Sequence, residues 1–93
     1  MSTLKMYSVY DKVTDSYHRP FYSVNVEEAK RLVHMALVQN SEMRTHAADY
    51  DIMFVGEYDT ATGMVSFQYS QPQFEFRLQT IALEVALEDS DNE

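Results

Sequence analysis

Apolar residues are arranged along this chain in more than one pattern. From residue 26 to about residue 39 they recur at intervals of three and four. Val26, Ala29, Leu32, Val33, Ala36 and Leu37 form one stripe, with Lys30, Arg31 and His34 towards the other side. That spacing predicts an amphipathic helix. Its start is marked by Asn25 as a cap, by Glu28 three residues on as in a capping box, and by Glu27 and Glu28 against the helix dipole. Asn40 is the expected stop, as a left-handed C-terminal residue.

Elsewhere the pattern is that of strands. Residues 5–10 are rich in β-formers, and Asp11 and Asp15 suit a turn after them. Residues 17–24 contain Pro20, which predicts an edge strand or a broken one. In residues 51–58, Ile52 and Phe54 alternate with Met53 and Val55, so both faces are apolar and the strand is expected to be central. Gly56 interrupts it, as at a bulge or a close approach. Residues 59–63 form a hairpin loop with Gly63 at the positive-φ position, and residues 64–69 return as a strand with Val65, Phe67 and Tyr69 on one face. Residues 41–49 have no clean period and are expected to be a loop. After Pro72, Phe74 and Phe76 alternate with Glu75, and Leu78, Ile81, Ala82 and Val85 then suit a short amphipathic helix over residues 77–88. Residues 10–15 and 58–63 share Tyr-Asp-x-x-Thr before a turn residue, as two hairpins with one loop solution would.

The predicted fold is a small single α+β domain. An antiparallel sheet of about four strands, in the order β-β-α-β-β, carries one main helix and a short C-terminal helix. Phe54 and Leu32 are expected in the same core. The domain is expected to span residues 1–88, with residues 89–93 as an acidic disordered tail. A chain of 93 residues suffices for one domain and is too short for two.

Charge and composition narrow the function classes. The net charge is −8, and residues 84–93 hold five acids and no base. The chain has no cysteine, which excludes disulfides and thiolate metal sites. No apolar run approaches the roughly 20 residues of a membrane-spanning helix, so no membrane partner is expected. The first six residues lack the apolar core of a secretion signal, and the chain is expected to stay where it is made. His18, His34 and His46 share no metal-ligand spacing, the aspartates of the turns are explained by turn chemistry, and two glycines cannot build a phosphate loop. No cofactor, no metal and no catalysis are expected.

Aromatic residues make up 13% of the chain, and most of them fall on or beside predicted strands. Sheets that bind single-stranded nucleic acid present aromatics for stacking beside basic residues. Aromatics on strands also serve simply as core.

Three stretches resemble a known family: residues 5–11 (Lys-Met-Tyr-Ser-Val-Tyr-Asp), Pro20-Phe21-Tyr22 before a helix, and His46-Ala47-Ala48-Asp49-Tyr50 leading into Phe54-Val55-Gly56-Glu57-Tyr58-Asp59 and Thr62-Gly63. In this order they resemble the small nonstructural protein of gokushoviruses, single-stranded DNA phages of the microvirus family. Ala47 stands where proline is expected, and the C-terminal segment is longer and more acidic. The resemblance covers about residues 5–70. It implies a phage accessory protein in the host bacterial cytoplasm, absent from the mature virion, described as DNA-binding and tied to genome replication or packaging.

Two readings follow. In the first, single-stranded DNA is bound with Tyr7, Tyr10, Tyr22 and Tyr69 as stacking surfaces and Lys5, Lys12, Arg19 and Arg44 on phosphates. In the second, the chain is a protein-interaction module that binds a phage or host replication protein, or itself as a homodimer. Four or more bases gathered on one sheet face beside exposed tyrosines favour the first reading; scattered bases favour the second.

Overall fold

The computed structural model describes residues 3–91, with side chains to residue 88. Two long antiparallel strands form its spine, β1 (Thr3–Asp11) and β4 (Tyr50–Asp59). Two short strands flank each of them. β2 (Ser16–Tyr17) and β3 (Phe21–Ser23) both pair with β1, while β5 (Val65–Ser66) and β6 (Gln73–Arg77) both pair with β4. The result is a six-stranded antiparallel sheet. The expected second strand is split in two by a break that holds Pro20, and the strand expected over residues 64–69 is shortened to β5, with β6 following after a break over residues 67–72 that ends in Pro72.

The two halves of the chain repeat one plan, a long strand, two short ones and a helix. The shared Tyr-Asp-x-x-Thr segment is where they agree most closely. The carboxylate of Asp11 accepts from the amides of Val13 and Thr14, and that of Asp59 from the amides of Ala61 and Thr62. Asp15 (φ 54°) and Gly63 (φ 74°) then take the left-handed conformation that closes each loop. Tyr10 faces Tyr17, and Tyr58 faces Val65, in the same hairpin register.

Helix α1 (Val26–Val38) begins as its sequence predicts. The Glu28 amide donates to Asn25 Oδ1 at 2.9 Å, and the Glu28 carboxylate reaches back to the Val24 amide at 3.0 Å. Its end differs from expectation. Asn40 is not left-handed (φ −128°); its side chain caps a further short helix, α2 (Ser41–Thr45), by accepting from the Met43 amide. The segment expected to be a loop is thus α2 followed by a 3-10 turn, Ala47–Asp49. Helix α3 (Leu78–Asp91) follows β6 without a loop and continues past the boundary expected at residue 88; residues 92–93 of the expected acidic tail lie outside the described residues.

The helices cover one face of the sheet. Tyr7, Ile52, Phe54 and Phe76 from the strands are buried with Ala29, Val33 and Leu37 of α1 and Leu78, Ile81 and Val85 of α3. Leu32 is a correction. At 38% exposed it stands at the rim, lining an apolar groove with Val9, Phe21 and Met43 instead of joining Phe54 in the core. Two bulges adjust the sheet. One lies opposite Met6–Tyr7 and the other between Ile52 and Met53. Gly56 sits beside the first, where a Cβ would meet the Ser66 carbonyl oxygen at 2.7 Å and the Phe67 ring at 3.1 Å.

Candidate interaction surface

Alternation along β1 and β4 sends every second side chain to the face that carries no helix. The register brings Met6, Tyr10, Tyr17, Tyr22, Met53 and Tyr58 to this open face, with Val65 opposite Tyr58 and Phe74 opposite Met53. Phe67 joins them by packing over Gly56. Tyr17, Tyr22, Val65, Phe67 and Phe74 are all exposed. The tyrosines stand in two pairs, Tyr10–Tyr17 with ring centroids 4.8 Å apart and Tyr22–Tyr58 at 5.9 Å. Between the pairs the surface is methionine and phenylalanine.

The charges on this face balance. Lys12 Nζ lies 3.5 Å from Asp51 Oδ1, and Arg77 stands opposite Asp51 on β6. The Tyr10 hydroxyl donates to Asp15, a bond that, more than burial, raises the Tyr10 pKa above its ordinary value. Lys12 and Arg77 thus stand on this face with Asp15 and Asp51.

The eight residues expected to bind nucleic acid do not come together. Tyr7 is a core residue on the helix side, 1% exposed, packed against Phe21 and Phe54. Burial, helped by Glu75, pushes its hydroxyl pKa up to about 12. Tyr7 cannot offer a ring to a base. Lys5 also lies on the helix side, 5.7 Å above the Phe54 ring. Arg44 is structural: its guanidinium donates to the Leu37 and Val38 carbonyls at 2.7 and 2.9 Å, satisfying the end of α1. Arg19 is exposed in the break between β2 and β3. Tyr69 is exposed in the irregular stretch after β5, since the strand expected to include it ends at Ser66. Of the eight, Tyr10, Tyr22 and Lys12 share the open face, and Lys12 is already paired.

Sequence reasoning missed Tyr58, Phe67, Phe74, Met6 and Met53 as members of this surface. The alternation in residues 51–58 signalled that both faces are apolar. Which aromatics share a face depends on the two bulges, which no local pattern marks. Among the described residues, no three His, Asp or Glu side chains gather as a metal site, and no helix is long and apolar enough to cross a membrane.

The family model described as Phage ORF5 protein matches residues 4–78, a span that takes in the sheet from the second residue of β1 onward, with α1 and α2. No curated protein and no solved structure matches the chain. On that match the chain belongs to the Phage ORF5 protein family.

Proposed function

We propose that this member of a phage protein family is an accessory protein that acts by binding and not by catalysis, and that its open sheet face is a protein-contact surface. The observation that carries the reading is the make-up of that face: Tyr17, Tyr22, Phe67 and Phe74 exposed together, half-buried Met6 and Met53 beside them, and few charges. Interface cores are enriched in aromatics and methionine and depleted in charge. A soluble domain rarely exposes a contiguous apolar patch without a use for it. The resemblance to gokushovirus nonstructural proteins supports placing this work in the cytoplasm of the infected bacterium and outside the mature virion.

Single-stranded DNA binding in genome replication or packaging is the second reading. The tyrosine pairs favour it, because base stacking on aromatics tolerates any sequence. The distribution of bases weighs against it. Affinity for a phosphate backbone comes from cations gathered along it, and here Lys5, Lys30 and Arg44 are occupied elsewhere: Lys5 and Lys30 cover the Phe54 and Phe76 rings, and Arg44 caps α1.

The two readings separate experimentally. A photo-crosslinking residue introduced at Phe74 is expected to trap protein in phage-infected cells, and one at Met35, exposed on α1, is not. Titration with a labelled single-stranded oligonucleotide at low salt is expected to give no saturable binding. Tight binding that falls steeply with salt and is lost in Tyr22→Ala and Tyr58→Ala would replace the protein-contact reading with the DNA one.

A further inference from the structure

We infer that the partner seated on the open face is a second copy of this chain, packed face to face about a two-fold axis. The inference rests on the reading of that face as a protein-contact surface and names its occupant. Three features carry it.

The first is size. β1 has nine residues, and at about 3.3 Å each it is about 30 Å long. Four strand positions across, about 4.8 Å apart, give a face roughly 19 Å wide. A flat patch of about 30 by 19 Å, roughened by aromatic side chains, approaches the roughly 800 Å² per partner of a standard stable interface.

The second is charge. A chain of net charge −8 repels its own copies, yet the open face is close to neutral. The acids of α3, Glu84 and Glu88, belong to a helix packed on the opposite face. Two copies can therefore meet through the open faces with their excess negative charge held apart. A basic partner, by contrast, would be drawn to the helix side.

The third is that the sheet edges are blocked. Copies of a β protein commonly associate by pairing edge strands. Here both edges are interrupted, one between β2 and β3 and the other between β5 and β6, and each break holds a proline. The longest uninterrupted edge strand is β6, at five residues. With edge pairing disfavoured, stacking of faces remains, and a two-fold axis satisfies it by using one patch twice.

Sedimentation equilibrium on the full chain from about 1 to 200 µM tests this. The expected result is a concentration-dependent monomer–dimer equilibrium that Phe74→Lys and Phe67→Lys weaken at least tenfold, with circular dichroism unchanged. Met35→Lys, on the exposed side of α1, is expected to leave it unchanged. Both test positions are exposed, so a folding failure is not built into the variants. A single monomer mass over the whole range overturns the inference, as does a dimer that survives Phe74→Lys and is broken by Met35→Lys. If the chain is monomeric while the crosslinker at Phe74 still traps a different protein, the second copy is refuted and the contact-surface reading stands. If neither occurs, both fall.

Discussion

Tyr7 and Tyr10 belong to one strand and point to opposite faces of one sheet, and their surroundings share little. Tyr7 is enclosed by Phe21, Phe54 and the helices, and burial holds its proton until about pH 12. Tyr10 packs at a tilt against Tyr17 beside a solvated carboxylate. The helix face closes around its aromatics, whereas the open face leaves its own in pairs at the surface. Residue type does not separate the two faces, because both are apolar. What separates them is that α1 and α3 both pack on the same side. A small chain with two helices and one sheet can bury one face completely, and the other must be left to solvent or to a partner.

The largest expected break in this comparison is between adjacent residues of β4. Phe54→Ala removes a core ring and is expected to cost about 3 to 5 kcal/mol. Met53→Ala, one residue earlier and on the open face, is expected to cost about 1 kcal/mol in the monomer, because little enclosed packing is lost. Urea denaturation of both variants measures the contrast. Equal losses would mean that the open face is as well packed as the core.

A second contrast lies in alkaline solution. The folded protein holds the Tyr7 proton to about pH 12, against 10.0 for an ordinary tyrosine. Between these values the unfolded chain has released a proton that the folded chain retains, so stability falls as pH rises. Tyr7's contribution is complete below pH 10 and is lost as pH passes about 12. Tyr7→Phe is expected to flatten most of this slope, leaving the smaller contributions of Tyr10 and Tyr50, whose values are also raised. Stability measured at pH 9, 10 and 11 decides it, and an unaltered slope in Tyr7→Phe would mean that Tyr7 is not enclosed.

Much of the helix face was legible in the residues, and most of the open face was not. α1, its cap, the Gly63 turn, the break at Pro20 and the centrality of β4 all depend on residues close together in sequence. Asn40 was misread because one residue can end a helix or begin the next, and only the amide of Met43 shows which. Arg44 looked like a free cation because its acceptors, the carbonyls at the end of α1, become available only once α1 ends there. Tyr7 looked like a stacking surface because residues 5–10 are apolar on both parities, and only the placement of the helices decides which parity is inside. The open face is assembled from all six strands and set by two bulges, so its membership is a property of register.

Gly56 tests the open face from within the sheet. Its missing Cβ lets the Ser66 carbonyl and the Phe67 ring close over β4. Gly56→Ala is expected to cost about 2 kcal/mol, since backbone stands at the nearest point and cannot rotate away as a side chain could. It is also expected to move Phe67 and so weaken self-association. A stable, still-dimeric Gly56→Ala would show that Phe67 is not part of the contact.

The smallest expected effect concerns the other side of the comparison alone. Asn25 caps α1, which covers the helix face, and it touches nothing on the open face. Its Oδ1 accepts from the Glu28 amide, and the Glu28 carboxylate in turn accepts from the Val24 amide. Asn25→Ala removes the first bond and is expected to cost about 1 kcal/mol, read as a lower urea midpoint at unchanged slope. Asn25→Asp keeps an acceptor in the same place and adds negative charge at the positive end of the helix, so it is expected to stay within a few tenths of a kcal/mol of the original. Neither change is expected to alter the monomer–dimer constant once folded protein is compared with folded protein. If Asn25→Ala weakens association as much as Phe74→Lys does, the two faces are not independent, and the contact must depend on how firmly α1 is seated.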